Sequence, residues 1–299
     1  MKKFTLLLFL LISSLCADEM KNDKNLELEK ISSKDYEAKK AMDNWLNGVF
    51  GLQPHKVNYI LPYGYREDAY ISHDANIYTN VEAELQVSLK MNLGKNLFGL
   101  NEKYYVAYTH KAFWQIYIES SPFRETNYTP EAFVVVPVAD MTSIFQLRSL
   151  KFAIAHTSNG LGETHDEALY TYHYEDPQNR SRSLNYLYSE ATFQHDTLIT
   201  ELRVYVRLPE SKNSDDNPDY VDFYGCTSLK FSYFVQKHMI TAMARGNFAT
   251  GKGAFETTYS YPILNDTYLY AKFFAGYGES LIDYNDYITK FSIGFSFSR

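Results

Sequence analysis

Short runs of alternating apolar and polar residues, with no long apolar run after the first dozen positions, constrain most strongly what this chain can fold into. Leu229, Phe231, Tyr233 and Val235 occupy every second position, and so do Phe291, Ile293, Phe295 and Phe297 near the C-terminus. Successive side chains of an extended strand point to opposite faces, so each such run has one apolar and one polar face. About twelve candidate strands follow, near 55–65, 81–94, 102–117, 131–140, 147–158, 183–195, 197–208, 218–235, 237–248, 253–261, 266–277 and 287–298. Polar turns separate them; the clearest lies between Pro209 and Pro218, which enclose Asn213, Asp215, Asp216 and Asn217. An even count suits an up-and-down antiparallel barrel whose first and last strands pair, because closure removes edges that lipid does not tolerate.

Composition bears on where such a barrel would sit. The chain is 45% hydrophobic and holds 27 Tyr and 20 Phe. A membrane barrel has this profile, since each spanning strand needs only about 9–11 residues and aromatic girdles mark its two interfaces. A soluble secreted β-protein also alternates and is the rival reading. A net charge of -7 leaves no basic stripe for nucleic acid.

The N-terminus reads as an export signal. Met1-Lys2-Lys3 precedes an apolar stretch from Phe4 to Ile12, then small residues and Asp18-Glu19, which places cleavage near Cys16 or Ala17. A lipoprotein reading of Cys16 is disfavoured by the bulky Leu15 before it. Removing residues 1–17 leaves Cys226 as the single cysteine, so no intramolecular disulfide can form. Residues 18–50 are a charged leader, mobile or partly helical, and residues 51–299 form the barrel.

One strand carries chemistry. In His156-Thr157-Ser158-Asn159-Gly160, His156 and Ser158 share a face with Phe152 and Ile154. If that face meets lipid, a base and a hydroxyl sit on the outside of the barrel where lipid gives way to water. An Asn reaching the far imidazole nitrogen would complete a nucleophile, base and orienter set. Gly160 frees the backbone beside it, so its amide could approach a developing oxyanion. Alone, a His-x-Ser pair is weak evidence.

The surrounding runs add specificity. His156-Thr157-Ser158-Asn159-Gly160 and Ser181-Arg182-Ser183-Leu184-Asn185 resemble the paired signature of the outer membrane phospholipase A family of Gram-negative bacteria. Ser120 to Tyr128, Gly276 to Asn285 and His55 to Tyr59 are similar to the same family, so the likeness runs from about residue 55 to the C-terminus. The resemblance implies a twelve-stranded barrel and a calcium-dependent serine hydrolase, active as a homodimer on the acyl esters of membrane phospholipids and lysophospholipids (A1 and A2 activity). By motif position it makes Ser158 the nucleophile, His156 the general base and then acid, and Asn185 the residue that orients His156. The Gly160 amide and calcium-bound water would hold the oxyanion. Calcium would rest on the Ser181 hydroxyl, the Leu161 carbonyl and the Ser120 carbonyl of the partner subunit.

Further expectations concern neighbouring residues. Trp114 and Phe113 are expected to line an acyl-chain groove at the dimer seam, or else to be girdle aromatics. His110 stands where the family leads one to expect a Gln near the catalytic Asn, which would make the support of Asn185 titratable. The segment between the two signature runs holds Glu163, His165, Asp166, Glu167, Glu175 and Asp176. It is either a solvated insertion, the favoured reading, or a source of extra carboxylate ligands. Arg124 and Glu125 are expected to form an ion pair or loop anchor, and Glu279, Asp283 and Tyr284 a polar network inside the barrel. The competing functions are a non-enzymatic porin or adhesin that kept the scaffold, and a soluble secreted esterase.

Overall fold

The computed structural model describes residues 51–70, 78–138, 146–161, 180–210, 215–264 and 266–299. The expected signal and leader, and the acidic residues of 162–179, lie outside the described residues.

The strands are β1 (Leu52–Pro54), β2 (Tyr59–Arg66), β3 (Val81–Lys95), β4 (Lys103–Trp114), β5 (Phe123–Pro137), β6 (Leu147–Ser158), β7 (Ser183–His195), β8 (Leu198–Arg207), β9 (Thr227–Val235), β10 (His238–Asn247), β11 (Lys252–Leu264), β12 (Thr267–Gly276) and β13 (Ile288–Ser296), with a short helix α1 (Tyr220–Tyr224) between β8 and β9. Every sequential pair from β2 to β13 is antiparallel, and β13 pairs back onto β2, with Phe291 opposite Tyr65 and Phe295 opposite Ile60. The chain therefore closes into a twelve-stranded barrel. β1 lies against β3 one step beyond β2, with Leu52 opposite Met91 and Tyr59 opposite Gln86, so β1 and β2 are one barrel strand interrupted at residues 55–58. The interruption is held at Ser88, whose carbonyl accepts the His55 amide at 3.0 Å and whose amide donates to Asn58 Oδ1 at 2.6 Å.

Alternation sets the two faces as the sequence predicts. Phe291, Ile293, Phe295 and Phe297 are between 39% and 48% exposed on the outer surface, while Lys290, Ser292 and Ser296 between them are buried inside. Paired charges stand across part of the interior, beside a cavity lined by Thr129, Arg203 and Arg245. Arg124 Nε donates to Glu82 Oε2 at 2.9 Å and its Nη1 to Asp283 Oδ2 at 2.5 Å. Lys290 donates to Glu82 Oε1 at 2.8 Å, and Lys272 and Lys111 both meet Glu84. Glu279 lies 3.2 Å from the Lys290 ammonium, and Tyr284 donates to Asp219. Of the expected network, Glu279 and Asp283 take part inside the barrel, whereas Tyr284 bonds Asp219 and packs with Leu184, Tyr220 and Leu281.

Two sequence boundaries move, each for a physical reason. β5 begins at Phe123, eight residues earlier than predicted, because the pairing slips between Phe113 and Trp114. That bulge turns the consecutive side chains Arg124 and Glu125 both inward, which alternation alone forbids. The pair does not bond to itself: Arg124 takes Glu82 and Asp283, while Glu125 accepts from Asn127 and from the Ile282 amide. The predicted strand from 218 starts only at Thr227, because the preceding tyrosines form α1 instead. Tyr220 and Tyr224, four apart, stack at 4.9 Å between ring centres, and Tyr220 packs with Leu184, Leu281 and Tyr284 over the barrel mouth. Gly225 ends the helix at φ 82°, where an added Cβ would meet the Gly246 carbonyl oxygen at 2.0 Å.

The two ends of the barrel differ. Asp196-Thr197 and Gln236-Lys237 suffice to join β7 to β8 and β9 to β10. The opposite end carries the connections 67–80, 115–122, 159–182, 208–226 and 277–287, most of them longer than those at the first end. His156 and Ser158 lie at that long-loop end of β6.

Candidate active site

β6 displays Phe152 and Ile154, 48% and 52% exposed, on the barrel exterior, and alternation carries His156 and Ser158 to the same side. Both are half-buried. The register between β6 and β7 sets His156 directly opposite Asn185, and Ser158 opposite Ser183. Across that pair, His156 Nδ1 and Asn185 Oδ1 are 2.9 Å apart. A carbonyl oxygen only accepts, so Nδ1 carries the proton and donates it, and Nε2 is left with a lone pair. This is the tautomer a general base beside a hydroxyl requires.

The other end of the Asn185 amide is also engaged. Nδ2 donates to Glu210 Oε1 at 3.1 Å. The expectation that His110 supports Asn185 is not met: His110 is on β4 and packs edge-on against the Tyr128 ring of β5, with centres 5.2 Å apart. Tyr128 separates it from Ser158, the residue opposite Tyr128 on β6.

Beyond Ser158 the backbone is shaped by Asn159, which is 4% exposed. Its Nδ2 donates to the Arg180 carbonyl at 2.8 Å, and its Oδ1 accepts the amides of Arg182 at 3.0 Å and Leu161 at 3.3 Å. One side chain therefore brings the start and the end of the 162–179 connection together and sets Leu161 near Ser181. Ser181 Oγ donates to Asp216 Oδ2 at 2.7 Å. Gly160 has φ +69°, and a Cβ there would lie 3.0 Å from Tyr128 Cε2, so both the backbone and the neighbour require glycine. Ser120 lies exposed in the β4–β5 connection at the same end of the barrel, with φ 61°.

Of the two expected groove aromatics, one is misassigned. Phe113 is fully buried inside the barrel, 4.8 Å from the Lys290 ammonium, and cannot line an outer groove. Neighbours on a strand face opposite ways, so only Trp114 reaches the exterior, where it stacks on Phe123 with ring centres 5.0 Å apart. Asn159, Asp216 and Glu210 were not singled out from the sequence. Asn159 lies in the signature run itself, but the contacts of the other two cross between loops that sequence spacing does not connect.

Oxygen donors dominate this end of the barrel. Among the described residues no group of three or more His, Cys, Asp or Glu is placed to hold a metal ion. The Ser181 hydroxyl, the Leu161 carbonyl and the nearby Asp216 carboxylate are hard donors of the kind calcium takes.

With the geometry in place, comparison with known proteins is direct. The phospholipase A1 family model matches residues 36–297. Phospholipase A1 of Escherichia coli K12 is 33% identical over 251 residues, covering 82% of this chain and 81% of its own. Among solved structures, outer membrane phospholipase A from Escherichia coli superposes with a TM-score of 0.72 at 30% identity, covering 84% of this chain and 93% of that one. The Salmonella typhi outer membrane phospholipase dimer with bound calcium does so with a TM-score of 0.72 at 31% identity and the same coverage. A barrel with its polar cluster on the outer rim, matched over nearly its whole span, belongs to the phospholipase A1 family and is a twelve-stranded barrel of the outer membrane.

Proposed function

We propose that this chain hydrolyses the acyl esters of membrane phospholipids and lysophospholipids, at both glycerol positions, with calcium and as a homodimer. The observation that carries the reading is the 2.9 Å contact between His156 Nδ1 and Asn185 Oδ1, with Ser158 two residues along the same outward face. His156 Nε2 takes the proton from Ser158 Oγ as that oxygen attacks the acyl carbonyl. The same proton then passes to the glycerol oxygen as its bond to the acyl carbon breaks, leaving the acyl group on Ser158. In the second half, Nε2 deprotonates water, which attacks the acyl-enzyme, and the fatty acid leaves as Ser158 is reprotonated. The Gly160 amide stabilises the oxyanion in both halves.

Ser181 Oγ, the Leu161 carbonyl and the Ser120 carbonyl of the partner subunit would hold calcium. When bound, the ion supplies positive charge close to the developing oxyanion. A site shared between two subunits makes activity depend on dimerisation, which suits an enzyme embedded in its own substrate. In bacterial barrels the long-loop end faces outward from the cell, so the reaction belongs to the outer leaflet. The non-enzymatic alternative leaves the His156–Asn185 contact without a use; inside the barrel, the paired charges of Glu82, Arg124, Lys290 and Asp283 share the lumen with a cavity lined by Thr129, Arg203 and Arg245.

The test is fatty-acid release from phospholipid mixed micelles by the refolded chain, with calcium or with chelator, against Ser158→Ala. Release that requires calcium and vanishes in the variant is expected. No release from a folded, dimeric, calcium-supplied native chain rejects the enzyme.

A further inference from the structure

Among the described residues Glu210 is the one carboxylate bonded to the catalytic row, and nothing in the reaction just described uses it. We propose that Glu210 is a positioning residue for that reaction: it orients the Asn185 amide and sets a full negative charge behind a set whose third member is neutral. This rests on the Ser158, His156 and Asn185 reading given above.

An asparagine amide has two ends of nearly equal shape, and they call for opposite tautomers of the histidine they face. Oδ1 toward Nδ1 demands a proton on Nδ1 and leaves Nε2 free to act as base. Nδ2 toward Nδ1 demands the reverse and would leave the protonated nitrogen facing Ser158. The pair alone does not choose. A carboxylate does, because it can only accept: Glu210 Oε1 takes the Nδ2 proton at 3.1 Å, which leaves Oδ1 for His156 at 2.9 Å.

The placement of Glu210 is built into the sheet. The Leu208 amide donates to the Asn185 carbonyl at 2.8 Å, which carries the β7–β8 ladder one residue past the end of β8. Pro209 then restricts the chain before Glu210, which is half-buried. Among the described residues no lysine or arginine pairs with Glu210, whereas its neighbour Arg207 is committed to Asp215 at 2.5 Å. Among the described residues, the other titratable groups around the row include Tyr128 on β5 beside Ser158, His110 beyond Tyr128 on β4, and Asp216, which accepts from Ser181. None of them bonds to Asn185 in the described contacts, so the charge delivered through the amide is that of Glu210.

Electrostatically, the arrangement compensates for a neutral third residue. The imidazolium formed when Ser158 gives up its proton is stabilised by a nearby carboxylate, and here that carboxylate stands one amide further back. A negative charge there favours the imidazolium of the transition state over the neutral ring, and removing it takes that stabilisation away.

The experiment uses the refolded full-length chain in phospholipid mixed micelles at saturating calcium. It compares Glu210→Ala, Glu210→Gln, Asn185→Ala and the double variant Glu210→Ala/Asn185→Ala, with Ser158→Ala as control. Glu210→Ala is expected to lower kcat about tenfold with KM within about twofold, as for loss of a group felt mainly in the transition state. Glu210→Gln, which keeps an acceptor but loses the charge, should retain the fold, lose less kcat and move the acid limb of the kcat–pH profile to lower pH. The double variant should be no slower than Asn185→Ala alone, because both act through one amide. Three results overturn the proposal: both Glu210 variants match the native chain in kcat and pH profile, the double variant loses the product of the two single effects, or the change falls on KM alone. Activity persisting in Ser158→Ala would instead overturn the underlying reading, whatever Glu210 does.

Discussion

The interior of the barrel and the patch on its outer rim are both polar, and they are built on opposite plans. Inside, each carboxylate of the central cluster meets a cation: Glu82 with Arg124 and Lys290, Glu84 with Lys272 and Lys111, Glu190 with Arg203 and Lys151. Outside, His156 meets Asn185 by a single neutral contact, Ser158 shares its face two residues along, and among the described residues one carboxylate stands at the end of the row. Charges enclosed by a barrel wall must be neutralised where they stand, and most of these groups are committed to one another, while Glu125 meets no cation among the described residues and accepts from Asn127 and the Ile282 amide. At the rim, the lone pair of His156 Nε2 and the hydroxyl of Ser158 remain available, next to the lipid that would supply the ester. The contrast teaches that polar residues in a membrane barrel become reactive where they are left partly uncommitted, and structural where they are fully paired.

Substitutions in the two regions should therefore fail differently. The largest effect is expected at the rim, where Ser158→Ala should cut fatty-acid release by at least about 10³-fold while leaving the barrel as stable as before. Hydrolysis assays paired with urea unfolding in detergent read both quantities at once. In the interior, Arg124→Ala should do the reverse at first, destabilising the barrel by about 3–5 kcal/mol because Glu82 and Asp283 lose their shared partner. Loss of activity without loss of stability in this variant would break the distinction. On the lipid face, Ile293→Lys should cost about 2–4 kcal/mol if it lies near the bilayer midplane, although Lys290 three residues away is native and buried inside. Refolding into vesicles followed by denaturant titration measures that cost, and a neutral result would show that the outward face of β13 does not meet lipid. A smaller loss of stability than at Arg124 or Ile293 is expected for Gly160→Ala, about 1–2 kcal/mol from its left-handed backbone and the Tyr128 contact. Its activity should fall by roughly tenfold, since the amide would shift away from the oxyanion; unchanged kcat would remove Gly160 from the oxyanion site.

Much of this was legible in the residues. The outward placement of Phe291, Ile293, Phe295 and Phe297 follows from period-two alternation, and so does the shared face of His156 and Ser158 with Phe152 and Ile154. The same rule misled where its premise failed. At Tyr220 and Tyr224 the aromatic residues recur at a helical spacing, and at Arg124 a bulge turns two consecutive side chains the same way. Phe113 and Trp114, taken together as groove residues, had to diverge once both lay on one strand.

By itself the sequence determined the strand periodicity, the twelve-fold count that allows closure, the apolar exterior and the pairing of a base with a hydroxyl on one face. These are local properties, set within a few residues by the alternation of side chains along an extended backbone. Only the tertiary structure decided that Asn185 stands opposite His156, that Asn159 clasps both ends of the intervening connection, that Glu210 takes the far end of the amide, and which cation meets each buried carboxylate. Those contacts depend on register between strands and on where loops return. A register is fixed by the closed hydrogen-bonded ladder as a whole, and no spacing along the chain encodes it.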